Sequence, residues 1–174
     1  GGYDPSLNES YFMFQTASKF LQQLGYRKTL FNHFAREKDT NLYFNFPERN
    51  EDCLAMGTVA DGVFGDYHYR HPEYAEYLRE VTNTFPGLQG GTRRTPQENK
   101  IFPIEVALLS STLPYHLFEE VLGVVRCQEL FENWQLLSLV IADNTDPGIY
   151  HLSSNGSWFV GTMIQQAHTL AESI

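Results

Sequence analysis

Cysteine is scarce in this chain: only Cys53 and Cys127 occur, one in a short apolar run and the other in a helical stretch. Two such thiols give no basis for a disulfide framework or a zinc site, and a reducing cytoplasm is the default setting. Positive charge is scarce too. Twelve Lys and Arg face twenty-one Asp and Glu, for a formal net charge of -9, and binders of nucleic acid or of anionic membranes need basic surface. No apolar run approaches the roughly 18 residues that a membrane span requires, and no signal peptide opens the chain. A start methionine is absent as well, and the opening Gly-Gly-Tyr-Asp-Pro reads as part of a longer protein. What is present describes a folded molecule. Of 174 residues, 42% are hydrophobic and 14% aromatic, enough for one or two small domains with a real core.

The stretch Asp52 to His71 organises the rest. Cys53 to Met56 is a short apolar run ending at Gly57, the pattern of a buried strand that stops at a turn. Gly57, Gly62 and Gly65 then make the backbone permissive, with small Thr58 and Ala60 between them. Large polar side chains follow at once: Asp66, Tyr67, His68, Tyr69, Arg70 and His71. A strand opening into a small-residue turn and then a polar, aromatic segment fits the rim of an α/β site, because ligands bind beyond the carboxyl ends of strands. A tight hairpin whose Tyr and His cover a core fits equally well. If the segment is a strand, Tyr67, Tyr69 and His71 share one face, and His68 and Arg70 take the other.

Around this centre the periodicity predicts a helix from Asn8 to Leu24, capped by Asn8 and ended at Gly25. A strand over Tyr26 to Phe31 follows, and the helix, strand, loop, strand order is that of parallel sheets. Pro72 opens a helix with Tyr74, Tyr77, Leu78 and Val81 on one face. The segment 86–100, rich in Gly and Pro, reads as a linker between a region 1–85 and a region 101–174. The last region shows helices over Ile101 to Ser111, around Leu117 to Gly123 and over Gln128 to Ser138. Strands over Leu139 to Ala142 and Ile149 to Leu152 come next, then a closing helix from Asn155 to Ala171. That layout is a winged helix. Its charge argues against DNA: from Ile101 onward Arg126 stands alone against eight acidic residues.

Several blocks, in order, resemble the C-terminal half of the HemN-like radical S-adenosylmethionine enzymes, the group named for oxygen-independent coproporphyrinogen III dehydrogenase. They are Leu24-Gly25-Tyr26 with Asn32-His33-Phe34-Ala35-Arg36, then Asn41, then Cys53-Leu54-Ala55-Met56-Gly57 with Ala60 and Gly65, and finally Leu152-Ser153-Ser154-Asn155-Gly156 within Ile104 to Ala171. The resemblance implies an α+β or α/β chain supplying the last strands and helices of a partial (β/α) barrel, followed by a winged-helix-like end domain. It implies a [4Fe-4S] cluster held by an N-terminal half outside this sequence, since such clusters need a Cys-x-x-x-Cys-x-x-Cys loop. The chain alone is then inactive and holds no metal of its own.

The resemblance also implies two S-adenosylmethionine molecules per complete enzyme, the second contacted by Asn41, Tyr43, Gly57, Ala60 and Asp61. Tyr43 and Asp61 depart from the Gln and Ile of the coproporphyrinogen enzyme. Asp61, Tyr67 and His68 are the candidates for proton transfer, and His33, Arg36, Tyr69, Arg70 and His71 for a small-molecule substrate. The departures favour transfer of a cofactor-derived methylene to an sp2 carbon, as C-methylation or cyclopropanation of a natural product. Coproporphyrinogen decarboxylation or anaerobic haem breakdown is the alternative, with Arg36, Arg70, Arg93 and Arg94 as the available partners for propionates. A binding domain without catalysis is the reading from another class. The strand near Tyr26 to Phe31, left with an open edge, is a candidate for dimerisation.

Overall fold

The structure is a computed structural model that describes residues 4–36, 52–82 and 87–172. It is a mixed helical and sheet chain, with seven helices and eight strands among the described residues. Its contacts group it into two compact units, residues 1–41 with 101–174, and residues 42–100.

In the first unit α1 (Leu7–Gln23) is capped by Ser6, not Asn8. Glu9 N–H donates to the Ser6 hydroxyl at 3.3 Å while Ser6 N–H donates to the Glu9 carboxylate at 2.9 Å, a reciprocal capping box. Gly25, at φ +81°, turns the chain out of the helix. β1 (Arg27–Leu30) and β2 (His33–Ala35) then pair antiparallel. The parallel order expected here does not form, because the two-residue connection Phe31-Asn32 is far too short for a crossover.

β6 (Thr112–Pro114), a strand with no signal in the sequence, joins β7 (Val140–Ala142) and β8 (Ile149–Leu152) in an antiparallel sheet with β8 in the centre. Between β6 and β7 lie α4 (Tyr115–Leu122) and α5 (Val124–Leu136), separated by Gly123 at φ +81°. The expected closing helix is broken at Phe159 into α6 (Ser154–Trp158) and α7 (Val160–Glu172). Gly156 explains the close seat of α6: a Cβ there would lie 2.1 Å from the Leu139 carbonyl oxygen. The core of this unit is dense. Ile104, Leu108, Leu113, Phe118, Met163 and Cys127 are fully buried, and Phe118 packs edge-on against both Phe131 and Trp134.

The second unit is built on β3 (Asp61–Phe64), β4 (Tyr67–Arg70) and β5 (Gly90–Arg93), antiparallel in that order. A two-residue turn, Gly65-Asp66, joins β3 to β4, and α2 (Tyr74–Val81) follows Pro72. Two expectations give way. Cys53 to Met56 is not a buried strand: Cys53 forms a single bridge to Val63, while Leu54 and Met56 are 71% and 89% exposed. The run is apolar, but no core lies beside it, since only Gly62, His71 and Pro72 are buried among the described residues of this unit. Nor is 86–100 an irregular linker throughout. Gly90–Arg93 completes the sheet, and α3 (Pro96–Ser110) starts five residues before Ile101. Its start is set by a second capping box, Glu98 N–H to the Thr95 hydroxyl and Thr95 N–H to the Glu98 carboxylate. Pro103 therefore falls inside the helix and not in its first turn. Among the described residues no helix is long and apolar enough to cross a membrane.

Candidate functional site

The second unit gathers most of the candidate residues around one turn and one hairpin. The turn Gly57 to Ala60 contains Gly57 at φ +95° and Val59 at φ +56°, and a left-handed conformation at a β-branched residue is a true outlier. Neighbouring bonds hold it there. Val59 N–H and the Thr58 hydroxyl both donate to the Pro72 carbonyl, at 3.1 and 3.0 Å, and His71 N–H donates to Ala60 O at 3.0 Å. The His71 ring is buried, with Nδ1 2.8 Å from Gly57 O. A carbonyl only accepts, so that nitrogen carries the proton.

β4 presents its two faces as the alternation expects. On one face the Tyr69 hydroxyl accepts from Ala55 N–H at 3.0 Å, and its ring covers Gly62 so closely that a Cβ there would lie 2.2 Å from Cζ. Tyr69, His71 and Tyr77 form an aromatic row with centroids 5.8 and 5.6 Å apart. Tyr67 lies opposite Arg93, whose guanidinium sits 5.3 Å from the ring centroid. On the other face Arg70 stands across from Asp61, 3.8 Å apart, both half-exposed and so weakly coupled.

Around His68 runs a polar chain that the sequence did not announce. Arg94 Nη1 lies 2.9 Å from His68 Nε2, and Arg94 Nε donates to Asn99 Oδ1 at 2.8 Å. Asn99 Nδ2 donates in turn to Asp66 Oδ1 at 3.0 Å. Asp52 accepts from Gly65 N–H at 2.6 Å and closes the β3–β4 turn. Asn99 and Asp52 lie 33 and 13 residues from their partners. The one local signal is Thr95-x-x-Glu98, which predicts a helix start and thereby places Asn99 in its first turn.

The structure therefore brings Gly57, Ala60, Asp61, Tyr67, His68, Tyr69, Arg70 and His71 into one unit. His33 and Arg36 belong to the other, where Arg36 lies over the Tyr26 ring at 5.2 Å. Asn41 and Tyr43 lie outside the described residues. Among the described residues no three His, Cys, Asp or Glu side chains converge as a metal would need.

In the first unit burial pushes the Cys127 thiol up to about 11 and the Tyr115 hydroxyl up to about 12. At the β7–β8 turn, Thr145, His151 and Asp146 all donate to Asp143 and hold its carboxyl well below the usual range. Burial also lowers the Lys28 ammonium, which donates to the Ser157 hydroxyl.

No protein-family model matches the chain, and no curated protein matches it. Among solved structures, coproporphyrinogen III oxidase (HemN) from Escherichia coli, described as a radical SAM enzyme, matches with a TM-score of 0.61 and 20% sequence identity over 95% of this chain. The fold is HemN-like. This chain spans 42% of the length of HemN.

Proposed function

We propose that this chain is part of a radical S-adenosylmethionine enzyme, contributing small antiparallel sheets and a winged-helix-like end domain to a larger protein. The single observation that carries the reading is the HemN-like fold over 95% of the chain. The order α3, β6, α4, α5, β7, β8, with β8 central in its sheet, supports the winged-helix part.

Cys53 and Cys127 cannot form a three-thiolate loop, so this chain does not fit a [4Fe-4S] cluster, and its ligands belong to the rest of the protein. The turn fits a second S-adenosylmethionine better. Gly57 faces open space, Ala60 is small, and the Asp61 carboxylate lies beside Arg70 at the head of β3. Gly57, Ala60 and Asp61 would contact this molecule, which when bound supplies the transferable methyl carbon; Asn41 and Tyr43, expected beside it from the sequence, lie outside the described residues. Asp61 would accept hydrogen bonds from it, and Tyr67 and His68 would lie nearby for proton transfer.

The finer reading is C-methylation or cyclopropanation of a small-molecule scaffold. Its support is the state of the arginines. Arg36 lies over the Tyr26 ring and Arg93 over the Tyr67 ring, Arg94 is bonded to Asn99 and His68, and Arg70 stands beside Asp61, whose negative charge would oppose a propionate there.

The test is the complete protein, reconstituted with its cluster under anaerobic conditions and reduced with S-adenosylmethionine, read by mass spectrometry. Joint appearance of 5'-deoxyadenosine and S-adenosylhomocysteine, lost in Asp61→Ala, is the expected result. Deoxyadenosine alone would replace methylene transfer with a decarboxylating reaction. Neither product would overturn the enzyme reading and leave a binding domain.

A further inference from the structure

The polar chain around His68 has a direction that follows from the chemistry of its members. Arginine only donates hydrogen bonds. The Asn99 oxygen must therefore face Arg94 Nε, as it does at 2.8 Å, which turns the amide nitrogen toward the Asp66 carboxylate at 3.0 Å. Arg94 is held further by Nη2 donating to Gly65 O at 3.2 Å and by its backbone N–H donating to Asp66 O at 2.9 Å. Anchored at the side chain and at the backbone, it brings Nη1 to 2.9 Å from His68 Nε2. At that distance Nε2 has to be the acceptor, because a protonated Nε2 would set donor against donor.

We propose that Arg94 is a positioning residue that fixes His68 as the neutral Nδ1–H tautomer. Nε2 is closed to proton capture, and His68 can give a hydrogen bond or a proton only through Nδ1. A ring carrying protons on both nitrogens is excluded by the same contact. The residues that the sheet register places beside His68 agree with this. Arg94 approaches it from the segment after β5, Asp66 and Asn99 stand behind Arg94, and Val63 and Thr92 are its neutral neighbours on β3 and β5.

The catalytic meaning rests on placing His68 in the site proposed above. Within that reading, His68 is a donor toward developing negative charge and not the base that removes a proton, which leaves the basic role to Asp61. The tautomer itself is independent of cofactor, substrate and activity.

It is read on the 15N-labelled 174-residue chain by long-range 1H–15N correlation at pH 7.5, with the His68 signals assigned by their loss in His68→Asn. The expected spectrum places His68 Nε2 in the unprotonated range and Nδ1 in the protonated range. In Arg94→Met, checked for folding by its amide spectrum, the ring is expected to shift to Nε2–H as the dominant form. Asn99→Ala, which frees Arg94 Nε, is expected to give a mixture and serves if Arg94→Met does not fold. An Nε2–H or doubly protonated ring in the wild type overturns the proposal, as does an unchanged Nδ1–H ring in folded Arg94→Met. Failure of the deoxyadenosine assay would bear on the enzyme reading and leave this result standing.

Discussion

Trp134, Phe118, Leu113 and Met163 are at most 1% exposed, in a unit whose aromatic rings interlock edge to face. In the other unit Met56, Leu54, Tyr74 and Leu88 all stand more than half exposed, and among its described residues only Gly62, His71 and Pro72 are buried. Apolar burial at about 25 cal/mol per Å² organises the first. The second is shaped by directional bonds: Tyr69 to Ala55, His71 to Gly57, Asp52 to Gly65, and Arg94 to Asn99 and His68. The difference teaches where chemistry is to be sought. A packed core tolerates few polar groups, whereas a hydrogen-bonded hairpin can hold Asp61, Tyr67 and His68 at its surface in fixed orientations.

The contrast can be broken in several ways. Trp134→Ala removes a side chain that is 1% exposed and its bond to Gln166, and is expected to cost about 3–5 kcal/mol by chemical denaturation. A loss below about 1 kcal/mol would mean that the first unit is not core-driven. Gly62→Ala forces a methyl group against the Tyr69 ring. Because the ring tip can swing aside, the cost is expected near the lower end of overpacking, about 1 kcal/mol, with loss of the Tyr69–Ala55 bond. Tyr69 fluorescence and the Ala55 amide exchange rate check it together.

Alkali sharpens the comparison. Cys127 keeps its proton up to about 11 when folded and up to its ordinary 9.0 when unfolded. Between those values the unfolded state binds fewer protons, so stability falls as pH rises through this window and is fully present below it. Tyr115, raised from 10.0 to about 12, adds to the same slope. Denaturation midpoints from pH 8 to 11 are expected to decline, and Cys127→Ala to flatten the first part of the decline. The smallest effect is expected for Met56→Ser. This side chain is 89% exposed, and the change should stay within about 0.5 kcal/mol.

What could be read from the sequence follows the same division. The faces expected over Leu117, Phe118, Val121 and Leu122 and over Leu130, Phe131, Trp134 and Leu137 were legible from helical spacing in most positions. Leu117, however, is only partly buried, and Leu137, at the end of its helix, is 60% exposed. The β4 alternation was legible for the same reason, with a period of two. Cys53 to Met56 misled because composition resembles a strand whether or not a core lies beside it. β5 was invisible, since Gly90-Gly91-Thr92-Arg93 carries no apolar pattern and pairs through backbone alone. Arg94 and Asn99 were missed as partners of His68 and Asp66 because 26 and 33 residues separate them, and no local rule links positions so far apart.

The claim that the candidate site lies in the unit held by hydrogen bonds is tested most directly by native-state hydrogen exchange on the 174-residue chain, resolved by residue. Amides of α4, α5 and α7 are expected to exchange only on global unfolding. Those of β3, β4 and β5 are expected to exchange through a smaller, separate opening that Arg94→Met accelerates further. Equal protection across both units, unchanged by Arg94→Met, would contradict it.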